Sequence, residues 1–237
     1  MSARTSGRIV GSMLLTAFVV YGGGSILAAS VTGTPVVLGD VIGSQDRLTA
    51  GVLLMLLNSA IVITIGVAAY PVLKRHHRAT ATAYLLTRGF EAAMLAVGSV
   101  LLLTLVPLAD EAGATGEQGL AAVARVTQET SLIAYWVAMI GLSLGSLLFC
   151  RALFRGRLVP RAVAVWGAVG YALLAAGGIF ELFGHEVGVL LGAPGGLFEA
   201  TLGVLLVVKG FPETQHRDLL PVSAPVPSTR VRTAASA

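Results

Sequence analysis

Apolar runs of about twenty residues recur along the chain, separated by shorter polar or turn-rich stretches. At 1.5 Å per residue, each run is long enough to cross a hydrocarbon layer of roughly 30 Å. There are six: Ile9 to Ala29, Leu48 to Leu73, Thr80 to Val106, Leu132 to Phe154, Ala162 to Phe183 and Val187 to Val208. The pattern predicts an all-α fold, a polytopic transmembrane bundle of six helices over residues 1–211. Residues 212–237 are rich in Pro, Ser, Thr and Ala without periodicity and read as a disordered tail.

The connections carry their own signals. Residues 30–47 read as a turn-rich loop with Asp40, Asp46 and Arg47, and Lys74-Arg75-His76-His77-Arg78 as a short basic loop. Residues 107–130 form the longest connection, acidic and glycine-rich at first and then suited to a short surface helix from Glu117. His185 and Glu186 sit in a tight connection, and Pro194-Gly195-Gly196 interrupts the sixth run. The first run has a basic start and ends on Ala28, Ala29 and Ser30, which is also the pattern of a cleavable signal peptide; its length and the spans that follow favour a retained helix. Within it, Gly22-Gly23-Gly24 marks either a close helix crossing, the favoured reading, or a break.

Composition sharpens the class. Charged residues make up 12% of the 237 positions and AVILMFWYC 55%, with a mean hydropathy of +0.84. Ordinary soluble domains carry about 25% charged residues, so a soluble domain is excluded. The 29 glycines suit helices whose backbones approach closely in lipid, and Gly141-x-x-x-Gly145 marks one such packed face. A net charge of +4 does not point to nucleic acid, because the basic residues are sorted by membrane side and no aromatic-basic surface accompanies them. Of the 16 lysines and arginines, Arg4, Arg8, Lys74, Arg75, Arg78, Arg151, Arg155, Arg157, Arg161, Lys209, Arg217, Arg230 and Arg232 fall on one side; Arg47 and Arg125 fall on the other. That asymmetry predicts cytoplasmic N- and C-termini and a cell-membrane location. The single cysteine, Cys150, reads as a small buried side chain.

Candidate chemistry lies inside the spans. Arg88 and Glu91 sit near the midplane of the third run and share a helix face at i, i+3. An unpaired charge there costs roughly 2.5–3.5 kcal/mol, so the two should pair. Asn58 and Glu199 reach similar depth on the second and sixth runs, and Glu181 lies nearer the outer end of the fifth. Glycines flank Glu199 (Gly195, Gly203) and Glu181 (Gly170, Gly177, Gly184), which predicts that both carboxylates face other helices. Either Arg88 reaches Glu199, or burial keeps that carboxyl protonated. The opposing reading is purely structural: a register-fixing ion pair, an interhelical Asn58 hydrogen bond and an interfacial Glu181.

These residues belong to a wider set. Asn58 is followed by Tyr70-Pro71-Val72-Leu73 and Arg88-x-x-Glu91. Further on come Arg157-x-x-Pro160, Trp166-Gly167-x-x-Gly170-Tyr171, and Pro194-x-x-x-Phe198-Glu199 running to Lys209-Gly210-Phe211. In this combination, over roughly residues 8–211, the chain resembles the bacterial six-helix membrane proteins known as domain of unknown function 4386. The glycine triplet of the first run departs from that pattern. The resemblance implies a fold and a membrane location; the family has no established activity and supplies no catalytic residues.

The leading functional expectation is a membrane protein in which Asn58, Arg88, Glu91 and Glu199, with Glu181 as a further ligand-binding candidate, bind a small or amphiphilic ligand, with proton coupling as one version. No inverted repeat relates the two halves, which counts against a repeat-built transporter. The alternative is an intramembrane enzyme in which protonated Glu91 or Glu199 acts as general acid on a lipid or isoprenoid. A second alternative is a non-catalytic structural membrane subunit. Metalloprotease, serine-nucleophile, phosphate-loop and haem signatures are missing from the sequence, and no cofactor, metal or nucleic acid is expected beside the lipid bilayer.

Overall fold

The computed structural model describes residues 2–115 and 119–212, and these are helical almost throughout. In chain order the elements are α1 (Ala3–Thr32), α2 (Leu38–Ile42), α3 (Gln45–His76), α4 (Arg78–Leu103), α5 (Leu105–Thr115), α6 (Leu120–Arg155), α7 (Arg161–Leu182) and α8 (Gly188–Lys209). Six segments are long and apolar enough to cross a membrane: α1, α3, the α4–α5 pair, α6, α7 and α8. The expected bundle of six spans is therefore present. The expected tail lies outside the described residues from position 213 onward.

Both faces of the long helices are apolar. Val19 and Val189, at 74% and 80% exposure, point away from the bundle as Ile26 and Leu86 do. Water would penalise such a surface, whereas lipid accepts it. Helix termini follow local chemistry: Lys74, Arg75 and His76 occupy the last turn of α3 at the negative end of its dipole, and His77 Nδ1 accepts from Thr80 N to start α4.

The long helices form a closed ring. Each packs on its successor, and α8 returns to pack on α1, so neighbouring spans are antiparallel all the way round. Small residues set the crossings. A Cβ on Gly24 would sit 2.6 Å from the carbonyl oxygen of Gly51, and one on Gly11 would sit 2.6 Å from that of Gly203. The first contact joins α1 to α3 near the α2–α5 end; the second joins α1 to α8 near the basic end. Along its length α1 therefore moves from α8 towards α3. The first half of α8 packs instead on α7, with Gly195 against Gly170.

Several local expectations resolve here. The glycine triplet does not break α1; Gly24 makes the crossing, whereas Gly22 and Gly23 face open space. Gly141 and Gly145 receive Phe90 and Thr87 of α4, as a packed small-residue face should. Pro194 and its glycines do not interrupt α8. The residue 30–47 loop contains α2, and much of the 107–130 connection is helical rather than loop. Leu105, Ala109 and Ala112 recur on one face of α5 and are buried, while Asp110 and Glu111 face outward. That face packs on α2, and Gln45 Nε2 donates to Asp110 Oδ1 at 2.6 Å. The predicted start of a surface helix at Glu117 lies outside the described residues; α6 begins at Leu120 as one continuous helix and is not a separate surface element.

Candidate functional site

The site is built from one face of α4. Tyr84, Arg88, Glu91 and Leu95 follow each other at spacings of four, three and four, so they stack along a single stripe, and all four are buried. Arg88 Nε donates to Tyr84 Oη at 3.0 Å, and Arg88 Nη1 donates to Glu91 Oε2 at 3.0 Å. The guanidinium also reaches across the ring. Its Nη2 lies 3.6 Å from Glu199 Oε1 on α8, and that oxygen accepts from Tyr171 Oη of α7 at 2.5 Å. Arg88 and Glu91 are each 3% exposed; the Glu199 side chain is 17% exposed.

Neighbouring residues hold these groups in place. Gly66 of α3 leaves room for the Arg88 stem, since a Cβ there would stand 3.1 Å from Arg88 Cβ. The Tyr84 ring stacks on Phe149 with centroids 4.6 Å apart, and Tyr171 meets Phe198 edge-on at 5.7 Å. Each phenol is thus aimed by a fixed ring at the charged group it serves.

A cavity of about 270 Å³ lies beside the cluster, walled by α1, α3, α4, α6 and α8. Asn58, Arg88, Glu91 and Glu199 all line it. Asn58 is 3% exposed and its Oδ1 has no hydrogen-bond partner. A second cavity of about 510 Å³ adjoins it towards the α2–α5 end, with Arg125, Gln128 and Glu129 among its lining residues. Tyr21, Leu95 and Tyr135 belong to both walls. The rings of Tyr21 and Tyr135, from opposite members of the ring, are stacked with centroids 5.8 Å apart and planes 15° apart. They lie where the inner and outer chambers meet. Phe18 borders the inner chamber and Leu132 the outer, and both are also exposed on the outside of the bundle.

Four of the five residues singled out from the sequence therefore meet at one place. Of the two readings of Glu199, Arg88 reaching it is the one the geometry satisfies. Glu181 is elsewhere: its Oε1 accepts from Gly188 N at 2.7 Å, capping the first turn of α8. The flanking glycines rightly indicate a helix contact, but the partner is a backbone terminus with unsatisfied N–H groups and not the charge cluster. Sequence reasoning gave no site role to Tyr84, Tyr171 or the Tyr21–Tyr135 pair, although Tyr171 stands in the motif Trp166-Gly167-x-x-Gly170-Tyr171. Tyr84 was accessible in principle, because it stands four residues before Arg88 on the same face. The others depend on which helices meet, which spacing along one chain does not reveal.

A six-span helical membrane protein with its buried charges drawn into one interior cluster is the class that fold and cluster define. Within it, the chain belongs to the family described as Domain of unknown function (DUF4386), whose model matches residues 9–210. Neither curated proteins nor solved structures yield a match.

Proposed function

We propose that this is a cytoplasmic-membrane protein, with both termini inside, that binds a small or amphiphilic ligand in the chamber lined by Asn58, Arg88, Glu91 and Glu199, with proton coupling at the carboxyl groups. The observation that carries this reading is the convergence of these four side chains, from three helices, in the lining of one cavity that still has space in it. A purely structural ion pair needs no such space, since helix packing in lipid gains by closing voids. The volume, about 270 Å³, lies just below the range of roughly 300–1,000 Å³ for small-molecule sites. The adjoining chamber at the α2–α5 end supports entry from that end and favours binding or passage over acid chemistry.

The test is mass spectrometry of small molecules and lipids that copurify with the protein in mild detergent, compared between wild type and Glu199→Gln. A species present at a fixed ratio to wild type and lost from a monodisperse Glu199→Gln sample supports the reading. Equal occupancy in both samples, or no bound species together with failure of both Glu199→Gln and Glu91→Gln to fold, returns the cluster to a structural role.

A further inference from the structure

We infer that the chamber selects an organic cation, a protonated amine carried on an apolar body, and that this cation takes the place of a proton at the cluster. This rests on the binding reading above and specifies what that site recognises.

Charge balance is the first ground. One guanidinium, Arg88, faces two carboxyl groups, Glu91 and Glu199. Among the described residues, no other lysine or arginine is buried. With both carboxyls ionised the cluster carries one negative charge in excess, at a depth where lipid gives no hydration. Neutrality returns when a proton sits on a carboxyl or when a cation lies beside it. The two are alternative occupants of one electrostatic vacancy.

Asn58 supplies the second ground, independent of charge. Its side chain is 3% exposed and lines the chamber, and its Oδ1 is a buried acceptor with no donor. Arg88 and Tyr171 are already engaged, Arg88 with Tyr84 and Glu91 and Tyr171 with Glu199. A buried acceptor without a partner is costly, and an ammonium brings three N–H donors, enough to serve a carboxylate and an amide together. An anion entering the same chamber would confront two carboxylates and find the one guanidinium already occupied.

The remaining surface fits the rest of such a molecule. Leu14, Val62, Ile65, Met139 and Leu142 offer an apolar wall. The stacked Tyr21 and Tyr135 rings stand where a cation would pass between chambers, and aromatic faces attract cations. The titratable and charged groups around Glu199 come from every neighbour: Tyr21 of α1; Tyr84, Arg88 and Glu91 of α4; Tyr135 and Cys150 of α6; Tyr171 of α7. Only the two carboxyls and Arg88 carry full charge in the exchange. It balances simply: the protonated site and a free alkylammonium give the occupied site and a released proton, with no covalent bond beyond O–H changing.

The experiment compares decylammonium, decyltrimethylammonium, decanol and decyl sulfate, each titrated below its micellar concentration into the full-length protein in a non-ionic detergent. Calorimetry measures binding, and a pH indicator in weakly buffered solution counts protons. The expected result is saturable decylammonium binding with release of approaching one proton per ligand. Glu199→Gln should abolish the release and weaken binding at least tenfold. Asn58→Leu, similar in volume and uncharged, should weaken decylammonium more than decyltrimethylammonium, which has no N–H to donate. If decanol or decyl sulfate binds as tightly with the same dependence on Glu199, the cation assignment falls while the binding site stands. Binding without proton release overturns the exchange, and amine binding indifferent to both substitutions places it outside this chamber and overturns the inference. If no probe binds saturably to wild type, both the inference and the binding reading fail.

Discussion

Arg88 is the residue whose loss should be felt most widely, and the structure grades the effect. Arg88→Met keeps much of the stem but removes the donor to Glu91 at 3.0 Å, the donor to Tyr84 at 3.0 Å and the positive charge 3.6 Å from Glu199. Breaking a buried ion pair by removing one partner costs about 3–5 kcal/mol, mostly because the remaining charge is left without compensation. The single variant should therefore lose about that much stability, measured as reversible unfolding in mixed micelles of increasing dodecyl sulfate fraction. Adding Glu91→Gln to Arg88→Met should recover part of it, since the stranded carboxylate is gone. The double-mutant cycle then isolates the pair. A hydrogen bond to a charged group contributes about 1.5–3 kcal/mol, so the Arg88–Glu91 coupling should fall in that range. The Arg88–Glu199 coupling should be smaller, because 3.6 Å is beyond good hydrogen-bond length and Tyr171 already serves that oxygen. Additive effects, with coupling near zero in both cycles, would refute the idea that these groups neutralise one another. A larger coupling to Glu199 than to Glu91 would refute the geometry.

Within the glycine triplet, Gly24→Val should destabilise the protein by about 1–3 kcal/mol in the same unfolding assay through overpacking against α3, whereas Gly23→Val, facing open space, should have little effect; equal effects would mean that α1 does not cross α3 at Gly24. Glu181→Ala should cost about 1 kcal/mol by uncapping α8 and leave ligand occupancy unchanged; a loss of ligand would place Glu181 in the site after all. Tyr171→Phe removes the donor to Glu199 and should lower both stability and ligand occupancy, with a fully wild-type response in both counting against a role for that phenol. Cys150, 1% exposed, should resist maleimide in the folded protein and react stoichiometrically once it is unfolded; rapid labelling in mild detergent would contradict the packing of α6.

Much of this molecule is written locally. The number of spans follows from hydropathy and the thickness of a bilayer, both of which act on about twenty consecutive residues at a time. The pairing of Arg88 with Glu91 follows from helix geometry, since residues three apart face the same way whatever surrounds them. That Glu199 and Asn58 join them at one cavity was an expectation from matching depths, which rank residues along the membrane normal but say nothing about position within its plane. Glu181 exposes that limit: its glycine-flanked setting resembles that of Glu199, yet its partner is the first turn of the next helix.

What only the tertiary structure decided is the lateral arrangement: a ring closed by α1 against α8, the facing of Tyr171 towards Glu199 on the next helix, and that of Tyr135 towards Tyr21 on the distant α1. Both chambers are lined by α1, the helix that leaves α8 for α3 part-way along its length. In lipid, apolar surfaces do not choose their neighbours, because tails and side chains are equally greasy; steric fit between small-residue faces and the need of each buried polar group for a partner make the choice. Both are relations between distant segments, and neither is visible until the segments are brought together.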